Sequence, residues 1–277
     1  MPRKKILAII FTVIVALGLS ADARAEWEIG AKAGFDSNVN RSVNKEDSDF
    51  LMTAYVAYSR QASGETRVDW TLKAILEGTG YADYSDLNNA AATFSPGLSI
   101  FLNPQWSLNV SPFIQTKGVS DSDQSALVYG VRTTLKQKWT KKFYTGQYYI
   151  YTKNNANEDV YSYEENAVGV FAGLNWTDAF FTEVGYEYSH GDSYRTISTA
   201  TAPTTPTGGR GYRHRFSSVY DAYVYSDKVD RSSISVSVGY DFTKSFFTQL
   251  GYTYIREEGD IDTLTYHTGF IGLGYRF

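Results

Sequence analysis

The 277-residue chain has no cysteine, so neither a disulfide framework nor a thiolate metal site is open to it. Histidine is nearly as scarce, with only His190, His214 and His267. Beyond the first twenty residues no apolar run approaches the roughly twenty residues that a transmembrane helix needs. Mean hydropathy is −0.32 although 43% of residues are hydrophobic, because polar neighbours dilute the apolar ones throughout. There is no basic excess either: the formal net charge is −4, which argues against a nucleic-acid partner.

The amino terminus differs from the rest. A basic start (Arg3, Lys4, Lys5), an apolar stretch from Ile6 to Leu19 and the small-residue ending Ala23-Arg24-Ala25 match a secretory signal peptide. The expectation is a cleaved leader over 1–25 and a mature chain over 26–277. Removing the leader takes away four basic residues and one acidic residue, moving the net charge to about −7.

Aromatic and small residues are plentiful, with 23 Tyr, 23 Gly and 16% aromatics. From Trp27 onward, segments of about ten to fifteen residues alternate apolar with small or polar side chains, the period-two signature of strands. In 67–79, for example, Val68, Trp70, Leu72, Ala74 and Leu76 share one face, and Asp69, Thr71, Lys73 and Glu77 share the other. The pattern predicts about twelve strands: 27–40, 49–60, 66–81, 91–102, 106–117, 126–139, 143–153, 163–176, 180–190, 232–242, 245–256 and 263–277. The expected fold is all-β, a transmembrane antiparallel up-and-down barrel.

Connections alternate between short and long. Three short ones share a pattern, Trp139-Thr140-Lys141-Lys142-Phe143, Trp176-Thr177-Asp178-Ala179-Phe180 and Phe242-Thr243-Lys244-Ser245-Phe246. Short turns of such barrels face the periplasm and long loops face outward, which places both termini in the periplasm. All five tryptophans, Trp27, Trp70, Trp106, Trp139 and Trp176, fall near the short-turn ends, whereas tyrosines including Tyr81, Tyr84, Tyr151, Tyr161, Tyr163, Tyr188, Tyr252, Tyr254 and Tyr266 crowd the other ends. Two aromatic girdles at membrane interfaces are expected. The longest connection, 191–231, is read as an extracellular loop. Its later part, Tyr220 to Tyr225, is taken as an extension of the tenth strand or a hairpin above the membrane, folding over the mouth.

The final segment carries a family resemblance. In Gly269-Phe270-Ile271-Gly272-Leu273-Gly274-Tyr275-Arg276-Phe277, the residues Ile271, Leu273, Tyr275 and the terminal Phe277 share one face. This resembles the carboxy-terminal signal of Gram-negative outer-membrane proteins. The resemblance implies an outer-membrane location among its lipids and delivery by the barrel-assembly machinery. A count of twelve is similar to that of small oligosaccharide-specific porins, nucleoside channels, autotransporter translocators and the outer-membrane phospholipase, but no motif matches any of them.

Function is sought in the lumen. The assumed register turns Lys117, Arg132, Lys136 and Lys138 inward on strands five and six, places Glu183 and Glu187 across the lumen on strand nine, and mixes Glu28, Lys32 and Asp36 on strand one. Opposed basic and acidic walls would create a transverse field acting on polar solutes. The alternative is that these charges pair and plug the tube. Many inward positions are small, among them Gly30, Gly130, Gly169, Gly173, Gly274, Ser111 and Ser235, and are read as leaving room. The stretch Asp36-Ser37-Asn38-Val39-Asn40-Arg41 is read as turn chemistry ahead of a cation or sugar site at the rim. Catalysis by the histidines, as in lipolytic or omptin-like barrels, finds no family motif, and no cofactor or metal is expected. The leading expectation is passive diffusion of small hydrophilic solutes. A structural or surface-interaction barrel comes second, and a sheath for an exported chain or an electron carrier third.

Overall fold

The computed structural model describes residues 25–198 and 214–277; residues 1–24, which hold all but the last residue of the expected leader, and the stretch 199–213 lie outside the described residues. The strands are β1 (Ala25–Asp36), β2 (Asp49–Arg60), β3 (Val68–Tyr81), β4 (Asn89–Phe101), β5 (Trp106–Val119), β6 (Ala126–Lys138), β7 (Phe143–Ala156), β8 (Tyr163–Asn175), β9 (Phe180–Ser198), β10 (His214–Ser217), β11 (Ala222–Asp241), β12 (Phe246–Gly259) and β13 (Thr263–Arg276). Every neighbouring pair is antiparallel. β13 closes on β1 and β9 on β11, so twelve strands form a barrel, while β10 lies beside the upper part of β11.

Ten of these twelve strands lie within a few residues of the spans expected from alternation. β9 and β11 do not stop where they were expected to. They run on together, Gly191 to Ser198 opposite Ala222 to Val229, so both ends of the expected loop 191–231 form a two-stranded ribbon. β11 is thus the tenth expected strand extended back to Ala222.

The three similar short turns fold alike, and their shared threonine explains why. The Oγ1 atoms of Thr140, Thr177 and Thr243 each accept backbone N–H bonds from the residues two and three positions on, at 2.9–3.2 Å. A side-chain acceptor thereby satisfies donors that a tight reversal would leave open. One ladder is interrupted: between β4 and β5 the register passes from Phe94↔Ile114 to Leu98↔Val110, at the level where Pro96 and Pro112, which lack an N–H, face each other.

The outward face is an apolar belt. Met52, Leu98, Val168, Val170, Val184, Ile234, Leu250, Ile271 and Leu273 are exposed on it, as lipid contact requires. The tryptophans gather at the short-turn end, where Trp139 and Trp176 donate to Thr145 and Thr182 at 2.9 and 3.0 Å. The tyrosine girdle needs correction. Tyr188, Tyr252 and Tyr254 do face outward, but Tyr161 and Tyr266 are buried inside the mouth, and Tyr81 and Tyr84 pack against the cluster there. Position along the chain placed these rings at the correct end, and strand parity sent some of them inward.

Candidate functional site: the lumen and its lid

The lumen holds a cavity of about 1120 Å³. One wall, from β2 to β5, presents hydroxyls and amides: Thr53, Ser59, Thr71, Thr93, Ser95, Ser99, Asn109, Ser111 and Gln115. Alternation alone produces that wall, since on these strands the odd-numbered residues turn inward. Lys32, Lys73, Arg132, Lys136 and Lys138 also line the cavity, with Glu28 and Glu77 as its carboxylates. Lys117 faces the lumen higher up, where it and Glu77 flank Ala91 of β4, and it does not line the cavity.

Glu183 and Glu187 do not stand across the lumen as an opposing acidic wall. They lie three strands from β6 and neither lines the cavity. Tyr144 and Tyr148 of β7 reach over β8 and donate to Glu183 Oε2 at 2.9 Å and to Glu187 Oε2 at 2.7 Å. Lys136 Nζ sits 3.7 Å from the Tyr144 ring centroid and the Arg132 guanidinium 4.6 Å from that of Tyr148. A third arrangement on β1 and β2 sets Lys32 Nζ 5.3 Å from the Tyr55 ring, whose hydroxyl donates to Glu28 at 2.6 Å. Arg276 completes the short-turn end, at 3.1 Å from Asp241 and 3.6 Å from Glu28.

Several inward glycines do not leave room. A Cβ at Gly169, Gly173 or Gly274 would meet ring atoms of Tyr148, Tyr144 or Phe247 at 2.1–2.3 Å, and one at Gly30 would meet Tyr55 at 2.6 Å. At Gly130 the ring of Phe113 lies 2.7 Å away and the Tyr151 carbonyl closer still. Each of these glycines is the seat of an aromatic ring from the adjacent strand.

The long-loop end is closed. The β9–β11 ribbon crosses the mouth and touches the connections of the four preceding hairpins in turn. Thr196 donates through Oγ1 to the Asn40 carbonyl at 2.8 Å and through its N–H to that of Arg41 at 3.0 Å. The Tyr220 ring packs 6.2 Å from that of Tyr84, and its hydroxyl lies 3.4 Å from Gln124. Tyr194 packs edge-on against Tyr161 at 5.3 Å. Arg215 of β10 pairs with Asp123 at 2.9 Å and Glu158 at 2.6 Å. Val39, Leu87, Val160, Tyr161, Tyr220 and Val224 form one buried cluster beneath it. Burial pushes the Tyr161 phenol up to about 12 and raises those of Tyr84 and Tyr220 as well, so these phenols stay uncharged well above neutral pH.

Below the ribbon lies a buried ionic cluster that the sequence reading did not find. Arg195 Nε is 3.3 Å from Asp227 Oδ2 and 3.6 Å from Glu257 Oε1, and all three side chains are fully buried. Arg231 bridges Glu257 at 2.8 Å and Glu165 at 2.6 Å. Arg195 Nε, Asp227 Oδ1 and Glu257 Oε1 have no hydrogen-bond partner, so the pairing is incomplete. The stretch after β1 is indeed turn chemistry. Asn38 donates to the Ser42 carbonyl at 3.1 Å and accepts from its N–H at 2.9 Å, and Arg41, at φ 52°, lies over the Tyr266 ring. The resulting turn is the surface on which Thr196 docks.

His190 and His267 lie on outward faces of different strands, His190 2.9 Å from Asp230 and His267 stacked on Tyr252. The side chain of His214 lies outside the described residues. Among the described residues no group of three or more His, Cys, Asp or Glu side chains is placed to hold a metal ion.

Comparison with solved structures agrees on the architecture. An outer-membrane channel of Pseudomonas putida F1 superposes with a TM-score of 0.60 at 9% identity, covering 93% of this chain and 97% of its own. The chain folds as outer-membrane channels fold. The NanC porin (TM-score 0.53, 11% identity) covers 89% of this chain and 98% of its own, and the KdgM porin in complex with disordered oligogalacturonate (0.53, 8%) covers 90% and 99%. No protein-family model and no curated protein matches the sequence.

Proposed function

We propose that the protein is an outer-membrane channel for passive diffusion of small hydrophilic solutes, with a preference for anions and a lid over its outer mouth. The observation that carries this reading is the polar cavity within the apolar belt, lined by more cations than carboxylates. Solutes pass when the β9–β11 ribbon lifts, and no covalent chemistry is involved. In a narrow lumen, cations on the wall raise the local concentration of anions. The closed mouth favours one rival, a non-conducting barrel whose ribbon serves surface contacts.

Planar-bilayer recording separates the two. The wild type should show mainly closed traces with brief openings. Loosening the lid with Arg215→Ala and Thr196→Val should lengthen the openings and give a reversal potential on the anion side in a salt gradient. Replacing Arg132 and Lys136 with Gln in that background should shift it toward cations. The shift should shrink at 1 M salt, where the Debye length is about 3 Å against about 10 Å at 0.1 M. Silence of both the wild type and the loosened barrel would leave the surface-contact reading in place.

A further inference from the structure

We propose that Tyr144 and Tyr148, seated on Gly173 and Gly169, set the charge selectivity of the lumen by covering Glu183 and Glu187. The proposal rests on the channel reading and names residues that determine its selectivity. The register makes each unit a straight row across three strands: Tyr144 pairs with Gly173, which pairs with Glu183, and Tyr148 pairs with Gly169, which pairs with Glu187. A tyrosine can reach over the middle strand only if that strand offers no side chain at the crossing. Gly173 and Gly169 meet this condition, since a Cβ there would fall 2.1 and 2.3 Å from ring carbons.

Each ring then performs two operations. Its hydroxyl donates to the carboxylate in a charge-assisted bond. Its face carries a cation, Lys136 or Arg132, on the lumen side. A solute in the cavity therefore meets the cation, while the carboxylate at the far edge of the ring is engaged by the phenol and does not line the cavity. A chain whose inward charges are nearly balanced along its sequence thus presents a basic cavity. Without the rings, two carboxylates would join the wall and the preference would fall or reverse.

Chemical labelling and conductance test this separately on the purified, refolded full-length barrel. Water-soluble carbodiimide with an excess of an amine, read by peptide mass spectrometry, should modify Glu183 and Glu187 slowly in the wild type. In Tyr144→Ala/Tyr148→Ala it should modify them about fivefold faster or more, with the exposed Glu46 unchanged as an internal standard. Gly169→Ala/Gly173→Ala should have the same effect by unseating the rings while both tyrosines remain. Tyr144→Phe/Tyr148→Phe, which keeps the rings and loses only the hydroxyls, should label at an intermediate rate and controls for misfolding. In the lid-loosened background the alanine variants should move the reversal potential toward cations. Equal labelling in wild type and variants would overturn the covering. Faster labelling with an unchanged reversal potential would overturn its role in selectivity. A barrel silent in every variant would overturn the channel reading, and the selectivity claim with it, while the labelling would still decide whether the rings cover the carboxylates.

Discussion

At the scale of single residues, Arg195 is the fully buried cation of the lid. It faces two buried carboxylates, Asp227 and Glu257, the second of which Arg231 also engages. Removing one partner of a buried ion pair typically costs about 3–5 kcal/mol, because the remaining charge stays in a low-dielectric site. Arg195→Met should therefore release the ribbon: limited proteolysis should cut within 191–198 and 222–229 much faster, while the barrel keeps its heat-modifiable mobility on gels. Equal cutting of wild type and variant would show that the cluster does not hold the lid. None of this was legible in the sequence, where Arg195, Asp227 and Glu257 are dispersed over 62 residues and look like solvated loop charges. The basic residues Arg132, Lys136 and Lys138 were legible, since alternation alone turns them inward. Glu183 and Glu187 had the correct face but the wrong surroundings. Whether a glycine leaves space or seats a ring depends on which residue the neighbouring strand places opposite, and that register is not written in composition.

Among the elements, turns and membrane-crossing segments were readable because their signals are local. A threonine three residues before the end of a short reversal, or an apolar residue at every second position, needs no distant partner to be recognised. The ribbon was only partly readable, since Tyr194 and Arg195 become strand by pairing with Ser226 and Tyr225. Its pH response follows from Asp227, which lies beyond the end of the β11–β12 ladder. Burial raises the Asp227 carboxyl above its ordinary value, against the opposing pull of Arg195 and the N–H groups of residues 260 and 261, with Asp260 adding to the rise. The buried, closed form therefore binds a proton more tightly than an open form in which Asp227 is hydrated. As pH falls through the raised value, the closed state should gain and conductance of the lid-loosened channel should fall. Asp227→Asn should abolish that acid closure. Conductance that rises with acid in the parent and stays pH-dependent in the variant would place the titrating group elsewhere.

For the whole molecule, an even number of crossings puts both ends of the chain on the short-turn side, where the Phe277 N–H donates to the Trp27 carbonyl at 2.9 Å. If that side is periplasmic, an epitope inserted after Gly208 should bind antibody on intact cells and one after Lys141 should bind only after permeabilisation; the reverse pattern would invert the orientation. The two seams of the sheet are unequal. β9 and β11 are zipped along nineteen residue pairs, whereas β1 meets β13 only over 28–36 and 268–276. That short seam joins the most distant parts of the sequence, so its closure entropy must be met before its hydrogen bonds form, and every other ladder can form earlier. Until then β1 and β13 each present an unpaired edge, the kind of edge onto which a foreign strand adds. Closing those nine pairs should therefore come last in folding, and the interval before it is when a foreign strand would find both edges open.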